Sequence, residues 1–223
     1  GNRDYAVTVV QTCALPICNW FLIHQILDST CAGANDANSP AQKVADFFRS
    51  AMDTNRLEQL GFSPLQPDLQ RIEEMAGIPD LLWLLANFQG RGISAGFGRS
   101  ASPDAKNSSV YAFYLGQGGL GLPDRDYYLT ERFAKAREAY RVHIGKMLQF
   151  LGEKPEAAES HAATVLDLET RLATASKARA DLRDPISNYH KFAVADIQHD
   201  YPDAPIATYL AAAGLPNLKE VII

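Results

Sequence analysis

The chain has 223 residues, 21 basic and 26 acidic, for a formal net charge of −5, and it is 47% hydrophobic and 21% charged. That size fits one large domain or two small ones and is long enough to bury a core. The acidic balance argues against a nucleic-acid partner, three cysteines are too few for a disulfide scaffold, and the best apolar run, Trp20–Leu27, contains His24 and Gln25 and is too short to span a bilayer.

Residues 1–38 differ from the rest. They hold all three cysteines (Cys13, Cys18 and Cys31) and only four charged residues, Arg3, Asp4, Asp28 and Asp36. An odd number of cysteines excludes complete pairing within the chain. The segment does not read as a secretory signal, because Asp4 follows Arg3 and Pro16 interrupts the apolar stretch. Val7–Ile17 resembles translated sequencing-adapter read-through. Residues 1–38 are therefore set apart as a poorly ordered N-terminal segment of artefactual character, and 39–223 as the domain to interpret.

That domain opens with a helix signature: capping Ser39, Pro40 at the first helical position, and Gln42 three residues after the cap. Val44, Phe47, Phe48, Ala51 and Met52 keep helical spacing, predicting a helix to about Leu60 with Gly61 as its stop. Short helices are predicted over Asp68–Ala76 and Asp80–Phe88. Gln89–Asn107 is rich in Gly and Ser, Ser109–Leu115 reads as a strand, and Gly116–Pro123 as a turn.

Helical periodicity returns from Thr130. Phe133, Ala136, Tyr140, Ile144, Met147, Leu148 and Leu151 step by three or four. Pro155 opens a second helix, with Val165, Leu168, Leu172 and Ala175 on one stripe, running to about Ala180. The short connector makes the two an antiparallel hairpin. Short helices near Ala193–Ile197 and Pro205–Ala213 follow, and Lys219–Ile223 reads as a strand. The fold class is mainly α: a helical lobe with an antiparallel helix hairpin and one or two short strands.

Chemistry-bearing motifs are sparse. Gly116, Gly118 and Gly121 match G-x-G-x-x-G, but Leu122-Pro123-Asp124 intervenes before any helix, so a turn is favoured over a dinucleotide site. No two of His24, His143, His161, His190 and His199 stand four apart, which excludes a zinc helix of the H-E-x-x-H kind. His143 is placed at the edge of a core stripe; His161 and His199 are placed in solvent. Glu73, Glu74, Glu138 and Glu169 are read as solvated carboxylates on polar helix faces. There is no G-x-S-x-G elbow, and Asn107-Ser-Ser109 matches the glycosylation tripeptide without a secretory context. Arg125 and Arg183 each sit between aspartates, which predicts fork-like ion pairs at helix ends.

Gly118-Gly-Leu-Gly-Leu-Pro-Asp-Arg-Asp-Tyr-Tyr-Leu129 resembles the signature stretch in the N-terminal region of neprilysin and endothelin-converting-enzyme-like zinc metallopeptidases. Phe47–Asp53 and Gly61–Leu65 upstream are similar to that family. So are Glu169–Ala173, Arg183-Asp-Pro185 and Tyr189-His-Lys191 downstream. The ordered resemblance covers about 39–223 and is strongest to bacterial members. Ala51 stands where the family often has cysteine, and His190 where it has asparagine.

The resemblance implies a partial chain: part of the helical lobe that closes over a zinc-bearing lobe and encloses a cavity for peptides. The parent chemistry it implies is zinc-activated water attacking a peptide carbonyl, with a glutamate as general base. The zinc motif, the downstream glutamate ligand and the substrate-backbone-binding segment have no counterpart in this sequence. No catalytic, cofactor-binding or metal residue is therefore assigned to any position, and no zinc is expected on this chain alone. The implied partners are peptide substrates and the C-terminal catalytic region of the same protein, and the implied location of the parent is periplasmic or extracellular. The alternative reading is a non-catalytic helical interaction module derived from that lobe.

Overall fold

The structure is a computed structural model that describes residues 19–223; Val7–Ile17, Cys13 and Cys18 lie outside the described residues. The chain divides into two compact units, Gly1–Pro64 and Leu65–Ile223. In the first unit, 19–32 is helical (α1). Ser39 then accepts a 3.1 Å hydrogen bond from the Gln42 amide and starts α2, Pro40–Met52. The single helix predicted to Leu60 is broken at Asp53, whose carboxylate accepts from the Arg56 amide at 2.9 Å and caps a new helix, α3, Thr54–Leu60. An aspartate next to free amides competes with helix continuation, so it caps instead. Gly61 ends α3 as expected, with φ of 51°. Ala45 is the buried residue of α2, whereas Val44, Phe47 and Met52 of the predicted stripe are exposed.

The second unit begins with α4, Gln66–Glu73, and α5, Ile78–Gly90. Arg91, just past α5, grips Asp68 of α4 with two hydrogen bonds of 2.7 and 2.8 Å. The chain then forms β1, Gly98–Asp104, and β2, Asn107–Gly116, paired antiparallel from Gly98↔Gly116 to Asp104↔Asn107. β1 falls inside the Gly- and Ser-rich stretch Gln89–Asn107, to which the sequence assigns no element. Its composition is poor for a strand, and the ladder to β2 supplies what local preference does not.

A glycine-rich connection leads to α6, Asp126–Leu129, and on to α7, Ala134–Phe150, and α8, Pro155–Ala175. The last two pack as the predicted hairpin. Gly145 is buried there, and a β-carbon on it would lie 3.8 and 3.9 Å from Ala158 O and Ala162 Cβ, so small residues set the approach of the two helices. The buried residues of α8 are Ala158, Ala162 and Ala173, while Leu168 and Leu172 of the predicted stripe are exposed.

After α8 come β3, Lys191–Ala193, α9, Val194–Asp200, α10, Ile206–Ala212, and β4, Glu220–Ile222. The four strands form one mixed sheet in the order β1-β2-β4-β3, with β4 parallel to β2 and antiparallel to β3. The mainly helical class stands, with four strands in place of one or two. The core joins Ala86 of α5, Phe113 of β2, Tyr209 and Leu210 of α10, and Val221 of β4. Among the described residues no helix is long and apolar enough to cross a membrane.

Candidate functional site

The glycine-rich connection between β2 and α6 is held in place by side chains from distant elements. Gln117 donates to the Lys177 carbonyl at 3.1 Å and accepts from the Lys177 amide at 2.9 Å, as a strand partner would. Tyr128 accepts from the Leu122 amide at 2.8 Å and donates to Glu169 of α8 at 2.6 Å, and Tyr140 of α7 donates to the same carboxylate at 3.0 Å. Glu169, read as a solvated surface charge, is therefore the partly buried acceptor for two tyrosines. Burial, then the Glu169 carboxylate, pushes the Tyr140 phenol up to about 12 and Tyr128 higher still.

These contacts explain the glycines. Gly119 has φ of 79°, and a β-carbon there would overlap the Gly96 carbonyl; one on Gly121 would overlap the Tyr140 hydroxyl. The G-x-G-x-x-G pattern thus reflects close packing of the connection against its neighbours. The helix that follows, α6, is four residues long and begins only at Asp126.

Arg125 does not form the predicted fork with its neighbouring aspartates. Its Nη1 donates to the Ser176 carbonyl at 2.6 Å, and its Nε is buried without a partner among the described residues. Asp124 instead accepts from the Asp126 amide at 2.9 Å, and Asp184 accepts from the Ile186 and Ser187 amides at 2.9 and 3.2 Å. The amides of Ile186 and Ser187 hold the Asp184 carboxyl below its ordinary value. A short carboxylate reaches a backbone amide two residues on more readily than a long guanidinium beside it. Neither Arg125 nor Arg183 takes part in an ion pair among the described residues. The two-pronged pair exists elsewhere, between Asp68 and Arg91.

Around this connection lies a cavity of about 650 Å³, walled by the loop after α5, the glycine-rich connection and the segment after α8. Arg99, Arg125, Lys177 and Arg179 line it, against the single carboxylate of Asp124. Lys177 Nζ is engaged by Asn188 Oδ1 at 2.7 Å, a neutral acceptor. Only Arg125 was conspicuous in the sequence, and for a different role. Lys177 and Arg179 are spaced to be noticed as a local pair, but nothing in sequence links them to Arg99.

At the far end of the sheet, Asp104 is buried and accepts from Lys191 Nζ at 2.7 Å, the Lys106 amide at 2.8 Å and the Tyr189 hydroxyl at 2.9 Å. The Lys191 ammonium foremost, then the Lys106 amide, holds its carboxyl down at about 2. This cluster ties β1 to β3 and has no spare donor set for a metal.

All five histidines are exposed, including His143, which the helical stripe had placed at a core edge. His161 lies 2.8 Å from Glu153. Among the described residues no three of His, Cys, Asp and Glu gather as metal ligands, so the side chains present do not fit a zinc ion.

A model of peptidase family M13 matches residues 19–223, beginning upstream of the compositional boundary at 38/39. Endothelin-converting enzyme 1 of Rattus norvegicus is 31% identical over 221 residues, covering 92% of this chain and 28% of that protein. Endothelin-converting enzyme-like 1 of Mus musculus is 36% identical over 179 residues, covering 72% of this chain and 22% of that protein. Among solved structures, the inhibitor complex of the zinc metalloprotease ZMP1 of Mycobacterium tuberculosis superposes with a TM-score of 0.81 at 29% identity, over 89% of this chain and 31% of that one. The chain thus spans about a quarter of the length of these curated relatives and about a third of that structure.

Proposed function

The chain belongs to the N-terminal region of peptidase family M13, and from that premise we propose that it forms part of the lobe enclosing the substrate cavity of a zinc metalloendopeptidase that hydrolyses peptides. The observation that carries this reading is the superposition on ZMP1, with a TM-score of 0.81 over 89% of this chain. In the intact enzyme the zinc would polarise the peptide carbonyl and activate water. The ligands for that zinc would come from the remainder of the protein, because the described residues offer no donor cluster.

The work of this chain is enclosure and positioning. The hairpin α7–α8 and the Tyr128–Glu169–Tyr140 cluster hold the glycine-rich connection rigidly, and a rigid wall keeps a bound peptide oriented while excluding bulk water. Trp83, Phe150 and Ile186, exposed at 46%, 70% and 82%, are apolar surface of the kind a further lobe would cover.

The test is complementation. The 223-residue chain, supplied with zinc and a fluorogenic peptide, is expected to give no turnover. Fused in place of the corresponding residues of the mycobacterial enzyme, it is expected to restore turnover. Hydrolysis by the chain alone, persisting after removal of residues 1–38, would overturn the reading. So would a folded, zinc-loaded fusion that cleaves nothing.

A further inference from the structure

We propose that the cavity beside the glycine-rich connection binds a small organic anion carrying two or more negative charges on phosphate or carboxylate groups. The chain as a whole is acidic, at −5, yet the cavity wall carries four cations against one carboxylate. None of Arg99, Arg125, Lys177 and Arg179 is paired with a carboxylate among the described residues. Unpaired cations gathered in a concave, partly apolar site repel one another and focus a positive potential, which a polyanion relieves.

Arg125 is held in place on the cavity wall. Its Nη1 donates to the Ser176 carbonyl, which fixes the group, and the buried Nε has no acceptor among the described residues. The buried Nε lies out of a ligand's reach, so it is the terminal N–H groups of this fixed guanidinium that match phosphate and carboxylate oxygens. The anchors that shape the wall, Gln117 on Lys177 and Gln89 on the Ala95 and Phe97 carbonyls, are neutral and leave the cations unneutralised. The volume of about 650 Å³ is far larger than one inorganic ion and lies within the range of sites for small organic ligands. Ile93, Leu120 and Leu182 on the wall offer apolar surface for the ligand's carbon body.

The experiment titrates tripolyphosphate and citrate into the 223-residue chain at constant ionic strength, with acetate as the singly charged control, read by calorimetry. Saturable binding of at least one polyanion at a single site is expected, and the tighter of the two assigns the ligand's charged groups as phosphate or carboxylate. Arg125→Gln and Arg179→Gln should each weaken that binding about tenfold. Arg171→Gln, on α8 outside the cavity, should change it less than twofold. Should Arg125→Gln fail to fold, Arg179→Gln carries the test, since Arg179 is exposed. Failure of both polyanions to bind at millimolar concentration would overturn the proposal. So would equal binding of acetate, or equal weakening by Arg179→Gln and Arg171→Gln. Because the readout is binding, loss of this proposal would leave the peptidase reading intact.

Discussion

Tyr128 donates a 2.6 Å hydrogen bond to Glu169 while its own hydroxyl accepts the Leu122 amide at 2.8 Å. One buried phenol thereby ties the glycine-rich connection to α8. Tyr128→Phe leaves both partners short of a hydrogen bond, and a buried group left unpaired costs roughly 1–3 kcal/mol. A lower denaturant midpoint with an unchanged slope is expected, and an unchanged midpoint would show that the tie contributes nothing.

The same cluster sets an alkaline limit. Burial and the Glu169 carboxylate raise the Tyr140 phenol to about 12 and the Tyr128 phenol further, against an unfolded value of about 10. A raised folded value means that the stabilisation is complete below about pH 10 and is lost as the pH climbs towards 12. Denaturation curves between pH 8 and pH 12 should show stability falling over the upper half of that interval. Tyr140→Phe should fall less steeply.

Gly121 is predicted to tolerate no side chain. A β-carbon there would overlap the Tyr140 hydroxyl, and Tyr140 cannot turn away without giving up its 3.0 Å bond to Glu169. Gly121→Ala should cost about 2 kcal/mol, in the range of overpacked cores. Tyr140→Phe in the same chain should recover part of the loss, and a double-mutant cycle with no coupling would refute the steric account.

Asp104 governs the acid limit. Its carboxyl is held down at about 2, by Lys191 first and then by the Lys106 amide and the Tyr189 hydroxyl. A depressed folded value means that the stabilisation is full above the unfolded value of about 3.9 and disappears as the pH falls to about 2. Thermal melts at pH 5, 3.5 and 2.5 should show Tm dropping through that window. Asp104→Asn should start from a lower Tm and show a flatter acid limb.

In the first unit, Ser39 and Asp53 each satisfy a helix-start amide. Ser39→Ala and Asp53→Ala should each cost about 1 kcal/mol, and Asp53→Ala should raise helix content by favouring continuity from α2 into α3. Circular dichroism of the two variants separates these effects.

Much of the helical framework was legible in the sequence because its signals are local. Ser39 caps α2, Gly61 stops α3, and Pro155 opens α8 where the residue types require. Misreadings arose where one local preference displaced another, as at Asp53, or where pairing overrode composition, as in β1. The arginines show the same limit. Flanking aspartates predicted a partner for Arg125, but those aspartates turned to nearby amides, and Arg125 found Ser176, 51 residues away.

The sequence by itself determined the helix starts at Ser39 and Pro155, the stop at Gly61, the α7–α8 hairpin and the ordered motifs of peptidase family M13, since caps, periodicity and motif order are all written along the chain. Only the tertiary structure decided that Glu169 would serve two tyrosines, that α8 would bury Ala158, Ala162 and Ala173 in place of its leucines, and that Arg99 would join Arg125 and Arg179 around one cavity. The physical reason is distance. Backbone hydrogen bonds of a helix close within four residues, whereas burial and charge clustering depend on what a remote segment brings to the same place.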